Sequence, residues 1–354
     1  MNRTQRIQLF TETICDWYAR HKRTLPWRDL MIKNDAERAY RILVSEVMLQ
    51  QTQVSRVIVI YKRFLREFPT LRSLANASNR DVILAWRGMG YNSRALRLRD
   101  AAATIMKEHG GTFPCEMNEL LLIKGIGPYT AAAIRNFAFN IPTPCIDTNI
   151  RRILHRTFVG PENADGTWKK DDAELMAIAS EVLNHATKAL SPRALRLRSG
   201  QAPTRGDNAR VRGSSPLAMT SFDAANWHAA LMDFGSLVQT KNNPRWDVCP
   251  LTAKGIMKTT RKNFLPFPSP RGRGLGGGAF VARKSEPGRV IGSRFVPNRI
   301  IRGRIIEALR DAKKGLTFQR IGKEVCMDWN PDEHRGWLEG LLYKLAKDEM
   351  IAMQ

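Results

Sequence analysis

The sequence predicts an all-α protein, and three observations carry that expectation. Apolar residues recur at helical spacing from Ile7 to about Phe158. No stretch shows the convincing period-two alternation of a half-buried strand. A glycine hairpin, Lys124-Gly125-Ile126-Gly127-Pro128, interrupts an apolar helical run and opens the next helix.

Taken in order, Ile7, Phe10, Ile14, Trp17 and Tyr18 form the stripe of a first helix, which Leu25-Pro26-Trp27-Arg28 ends. Helical patterns follow at Tyr40 to Arg66, Arg80 to Arg87 and Ser93 to His109. The hairpin comes next. Gly125 and Gly127 can take positive φ and admit another backbone, and Pro128 suits the first turn of a helix running from Tyr129 to about Ala138. The amides at that helix start form an anion site of the kind that holds a DNA phosphate, while an ordinary turn with a glycine C-cap has the same pattern. Asp147 then precedes a helical run from Thr148 to Phe158.

Two segments break the helical pattern. Residues 188–220 include an Arg-rich, Gly/Pro-punctuated stretch with too few large apolar residues to order itself. Residues 259–297 carry FPSPRGRGLGGG and read as a flexible basic linker. Its glycines lack the preceding strand and the Gly-Lys-Ser/Thr of a phosphate loop. The expected organisation is therefore a catalytic domain over 1–258, a linker over 259–297, and a winged-helix-like module over 298–354. In the module, Ile301, Ile305 and Ile306, then Phe318, Ile321 and Val325, then Trp337, Leu338, Leu341 and Leu342 mark three helices. Such a module serves DNA or a protein partner.

The chain has 354 residues, with 57 Lys and Arg against 33 Asp and Glu, a formal net charge of +24. That balance points to a polyanion partner and, with no long apolar run, away from a membrane. Cys15, Cys115, Cys145, Cys249 and Cys326 form no CxxC pair, which fits free thiols in a reducing, intracellular compartment and no zinc site.

Two carboxyl groups are candidates for chemistry. Glu46 sits at the margin of an apolar helix face made by Leu43, Val44, Val47 and Met48, where the apolar surroundings favour its protonated form and general-acid work. The alternative is a surface glutamate. Asp147 is an N-cap by position, and a carboxylate held there stays ionised to face a developing sugar cation. One protonated and one charged carboxyl is the arrangement used to cleave glycosidic bonds.

SEVMLQQTQV, the GMGYNSRA of Gly88 to Ala95, IKGIGPYTAAAI and IDTNIRRIL, in that order, resemble the helix-hairpin-helix (HhH-GPD) DNA glycosylase superfamily, and within it the MutY-type adenine DNA glycosylases. The resemblance runs from about Leu9 to Leu251 and implies a two-lobed helical fold with the DNA cleft between lobes. It implies that Glu46 protonates N7 of a flipped adenine, that Asp147 stabilises the oxocarbenium sugar and that Asn149 orients the site. Tyr129 stands where bifunctional relatives carry a Schiff-base lysine, which implies a monofunctional hydrolase. Gln51 and Tyr91 match wedge residues at the parted bases, and Lys124, Gly125, Gly127 and Thr130 match the phosphate-gripping hairpin. Trp27 and Arg28 match the adenine pocket, with a helix-end packing pair as the alternative. The implied partner is duplex DNA with a mispaired or oxidised base, bound by a monomer.

The chain departs from that family in several places. Relatives hold a [4Fe–4S] cluster on C-x6-C-x2-C-x5-C; aligned on Cys249, the other three positions are Gln239, Trp246 and Gly255, so no cluster is expected. Lys241, Arg245 and Lys254 keep basic charge in that loop. The C-terminal segment reads as helical where MutY-type relatives often carry a Nudix-like β domain. Ala229 and Asn92 replace frequent polar and tyrosine residues. Two other functions stay open: a glycosylase for thymine or uracil opposite guanine, and a non-catalytic DNA-binding relative.

Overall fold

The computed structural model describes residues 1–28, 30–163, 167–189, 223–264, 287–312, 315–348 and 350–353. The Arg-rich insertion and the FPSPRGRGLGGG stretch lie outside these residues. The chain forms two compact units. The first takes Met1–Ile42, Pro114–Leu122 and Ile126–Gly274; the second takes Leu43–Phe113, Ile123–Gly125 and Leu275–Gln354.

In the first unit, α1 (Arg3–His21) is capped by Asn2, whose side chain accepts from the Gln5 amide while Gln5 reaches back. Its stripe packs on α9 (Thr148–Leu154), α10 (Asp172–Ala189) and α11 (Ala224–Leu237). Phe10 meets Phe158 and Trp227 edge-on, with ring centroids 5.3 and 6.5 Å apart, and Trp17 meets Phe234 at 5.0 Å. A π-helical turn, His155–Val159, continues α9 and ends at Gly160. α7 (Met117–Leu122) and α8 (Pro128–Phe137) flank the hairpin, and α12 (Pro250–Ala253) follows a 3₁₀ turn at Trp246–Val248.

α2 (Asp35–Leu49) spans the boundary between the two units. The second unit holds α3 (Val54–Glu67), α4 (Leu71–Ala75), α5 (Asn79–Ala85) and α6 (Ser93–Glu108). Phe64 and Trp86 pack edge-on at 5.7 Å in its interior. The same unit contains a hairpin, β1 (Gly288–Ile291) and β2 (Arg294–Pro297), followed by α13 (Asn298–Asp311), α14 (Phe318–Val325) and α15 (Pro331–Lys347). The strands are antiparallel, with Val290 opposite Phe295.

The all-α expectation stands, since these two short strands are the only sheet among the described residues. The linker assignment over 259–297 is corrected at its end, because 288–297 is this hairpin. Strands of four residues are too short to show a period in the sequence. Ile301, Ile305, Ile306, Ile321, Leu338 and Leu342 form the three stripes expected of the C-terminal helices, in one core that also takes in Ile83 and Leu96. Among the described residues no helix is long and apolar enough to cross a membrane.

Candidate active site

Asp147 is built by local geometry. It takes an extended conformation (φ −94, ψ −178) and caps α9, its Oδ1 accepting from the Ile150 amide at 2.6 Å. Its other oxygen accepts from the Asn149 side-chain amide at 2.8 Å. Asn149 is oriented in turn, because its Oδ1 accepts from the Arg152 guanidinium at 2.7 Å. Arg152 is buried and also donates to the Gly235 carbonyl at 2.8 Å and to that of Gln239. The expectation that Asp147 simply stays ionised is modified here. Burial pushes its carboxyl above the ordinary aspartate range, while the bonds from Ile150 and Asn149 and the charge of Arg152 oppose that rise. Tyr129, half-buried at the first turn of α8, packs against the core of the same unit.

Gly235 explains how closely α9 and α11 approach. A Cβ there would lie 2.7 Å from the Asn149 Cβ and 2.9 Å from its carbonyl oxygen. Neither Gly235 nor Arg152 was singled out by sequence reasoning, although Gly235 is visible as a lone glycine inside a helical pattern.

Glu46 belongs to the second unit. It is 6% exposed, which excludes the surface-glutamate alternative, and its neighbours from Ile42 to Met48 on α2 are buried as well. Gln51 and Tyr91, in the same unit, both have positive φ, 56° and 49°, and both are exposed, Tyr91 by 52%.

The hairpin differs in detail from expectation. Gly125 has φ +99, and a Cβ there would meet the Arg97 carbonyl at 3.1 Å. Gly127 does not use positive φ; at φ −91 it is the N-cap of α8, with Pro128 at the first position. Lys124, Gly125 and Gly127 are exposed. Thr130, in the first turn of α8, is buried at 4% exposure.

Trp27 is buried, and Arg28 makes a bidentate pair with Asp233 of α11 at 2.7 and 2.8 Å. Asp233 is fully buried and also accepts from Arg23. Arg28 is thus fastened to α11. Ala229 is a core residue of α11.

The loop after α11 has its own internal fastening. Gln239 is buried and donates through Nε2 to Cys249 Sγ at 3.3 Å and Met257 Sδ at 3.5 Å, while its Oε1 accepts from Arg156 at 3.2 Å. Arg156, on the π turn, pairs with buried Glu162 at 2.9 Å and donates to the carbonyls of Thr240 and Lys241. Its guanidinium lies 4.8 Å from the Phe264 ring centroid, and Trp246 packs edge-on to that ring at 5.6 Å. The site positions of a four-thiolate cluster are thus occupied by one thiol, an amide, a packed indole and Gly255. These donors do not fit a four-iron cluster. Lys241, Arg245 and Lys254 are exposed on the loop.

Elsewhere, Cys326, Asp328 and His334 place their ligand atoms within 4.8 Å of one another. Arg289 also lies there, 3.7 Å from Asp328 and hydrogen-bonded to the His334 ring, and its positive charge opposes a metal ion.

Comparison with known proteins agrees with these features. Residues 44–184 match the model for HhH-GPD superfamily base excision DNA repair proteins. The adenine DNA glycosylase of Mycolicibacterium smegmatis is 31% identical over 308 residues, covering 87% of this chain and 83% of that protein. The mouse adenine DNA glycosylase is 40% identical over 183 residues, covering 51% of this chain and 35% of that protein. The solved structure of a thermostable thymine-DNA glycosylase superposes with a TM-score of 0.54 at 19% identity, covering 72% of this chain and 96% of that one, which shows the shared fold.

Proposed function

This chain belongs to the HhH-GPD superfamily of base excision DNA repair proteins, and we propose that it is a monofunctional glycosylase that hydrolyses adenine from duplex DNA where it faces 8-oxoguanine or guanine. The observation that carries the reading is Asp147, held at the start of α9 by Ile150 and Asn149 with Arg152 behind them.

In the proposed reaction the adenine leaves the stack, with Gln51 and Tyr91 filling the space where the bases part. Glu46 gives its proton to N7, so that the departing base is neutral. The glycosidic bond breaks with its electrons going to adenine. The carboxylate of Asp147 faces the positive charge left on the sugar. Water then adds at C1′, and its proton passes to the carboxylate left on Glu46. Atoms and charge balance without a covalent imine, which Tyr129 could not form. Lys124, Gly125, Gly127 and the start of α8 grip the backbone, aided by Lys241, Arg245 and Lys254.

The same reading holds that the enzyme works without an iron–sulfur cluster. Gln239 and Met257 surround the one remaining thiol, Cys249, and Arg156 fastens the loop that metal ligation would otherwise hold. Residues 298–354, packed within the second unit, serve recognition of DNA or protein. The site of action is the DNA inside the cell, and the enzyme acts as a monomer.

The test is single-turnover base release from duplexes carrying A·8-oxoguanine, A·G or T·G, with and without hot alkali, for the wild type and Glu46→Gln. Adenine loss that needs alkali for strand cleavage and vanishes in the variant is the expected result. Release only from T·G would move the protein to thymine excision. No release from any duplex would leave a DNA-binding protein. Iron analysis of the purified chain is expected to find no stoichiometric metal.

A further inference from the structure

The second unit contains an arginine that links two loops far apart in sequence. Arg94 sits in the first turn of α6 and is 5% exposed. One of its terminal nitrogens donates to the carbonyls of Val47 and Met48 at 3.1 and 3.3 Å, and to that of Gln50. The other donates to the Thr52 hydroxyl at 3.2 Å and to the carbonyls of Met89 and Gly90 at 3.3 and 3.2 Å. Its guanidinium also lies 5.6 Å from the Trp86 ring and 5.5 Å from the Tyr91 ring.

We infer that Arg94 is the positioning residue that presents Gln51 and Tyr91 together to the DNA. Three observations converge on this role. The carbonyls it gathers belong to the end of α2 and to the turn before α6, the segments that carry Gln51 and Tyr91. Both residues hold positive φ, which side chains other than glycine adopt rarely and keep only when their surroundings impose it. The planar fork of arginine can bridge two loops, whereas a lysine ammonium is a point donor. The hydrogen bonds of Arg94 go to backbone carbonyls and to the Thr52 hydroxyl, so its donors do not hold either wedge side chain. The ring contact with Tyr91 is through a face, which fixes the ring's approach.

This role rests on the proposed function, because Gln51 and Tyr91 are wedges only if the protein parts base pairs. The experiment compares the wild type, Arg94→Ala and Arg94→Lys in single-turnover adenine release. Base extrusion is read separately from the fluorescence of 2-aminopurine placed at the target position. Arg94→Ala is expected to release adenine about 100-fold more slowly and to lose the fluorescence rise, while binding to undamaged duplex changes little. Free guanidinium chloride is expected to restore part of both signals in a saturable way, where equal sodium chloride does not. Arg94→Lys is expected to be defective and unaffected by guanidinium, and it carries the same readouts if the alanine variant does not fold. In a Gln51→Ala/Tyr91→Ala background, Arg94→Ala is expected to add little, because the residues act as one unit.

Wild-type rates in both Arg94 variants, or a defect that adds fully to the loss of both wedges, would overturn the inference. A wild type that releases no base from any duplex would instead overturn the proposed function, so the two failures are distinguishable.

Discussion

Gly235→Ala tests whether the close approach of α9 and α11 sets the catalytic geometry. The added Cβ would lie 2.7 Å from the Asn149 Cβ, short of ordinary contact at 3.4 Å by about 0.7 Å. Both neighbours are backbone or Cβ atoms, so no side-chain rotation relieves the clash; the helices must move apart. Overpacking of this kind costs about 1–3 kcal/mol, which corresponds to a drop of about 2–12 °C in thermal midpoint for a unit of this size. The shift also loosens the 2.8 Å bond from Arg152 to the Gly235 carbonyl and carries Asn149 away from Asp147. A displacement approaching 1 Å at a reacting group costs about 100-fold in rate. The assay pairs a thermal melt with single-turnover base release. Gly340→Ala serves as the comparator, since nothing lies within 4 Å of a Cβ there. A wild-type rate in Gly235→Ala, with or without a lower midpoint, would refute the claim that this contact positions Asn149.

Other outcomes follow from the same contacts. In the proposed reaction Asp147 is ionised, and its carboxyl is raised by burial against the opposing bond from Asn149. Asn149→Ala should therefore raise it further and move the acid limb of the rate–pH profile upward, besides slowing the reaction. Arg156→Met leaves buried Glu162 without its cation and should cost about 3–5 kcal/mol in denaturant unfolding, with much of the loss recovered on adding Glu162→Gln. His228 is fully buried, and desolvation lowers its pKa from 6.5 to about 4. The folded protein thus resists a proton that the unfolded chain accepts: stability is whole above pH 6.5 and falls as the pH drops toward 4. The loss is about 3 kcal/mol at most, and denaturant midpoints should show it reduced in His228→Leu.

What the sequence determined by itself was local. The stripe of α1, the break at Lys124 to Pro128 and the cap at Asp147 each depend on residues three or four apart, which set backbone hydrogen bonds whatever the chain does elsewhere. Asp147 was legible for that reason, while Asn149 was legible only through the family resemblance, and the structure brings both together with Ile150. The tertiary structure decided what lies opposite each face. A helical period identifies Glu46's neighbours on its own helix, but only the rest of the fold makes it buried rather than exposed. Asp233 meets Arg28 across 205 residues, Arg156 meets Gln239 across 83 and Arg94 meets Val47 across 47. No periodicity encodes such pairs, because a charged residue on a helix is ordinarily solvated and becomes a fastening only when distant backbone carbonyls or a carboxylate close around it.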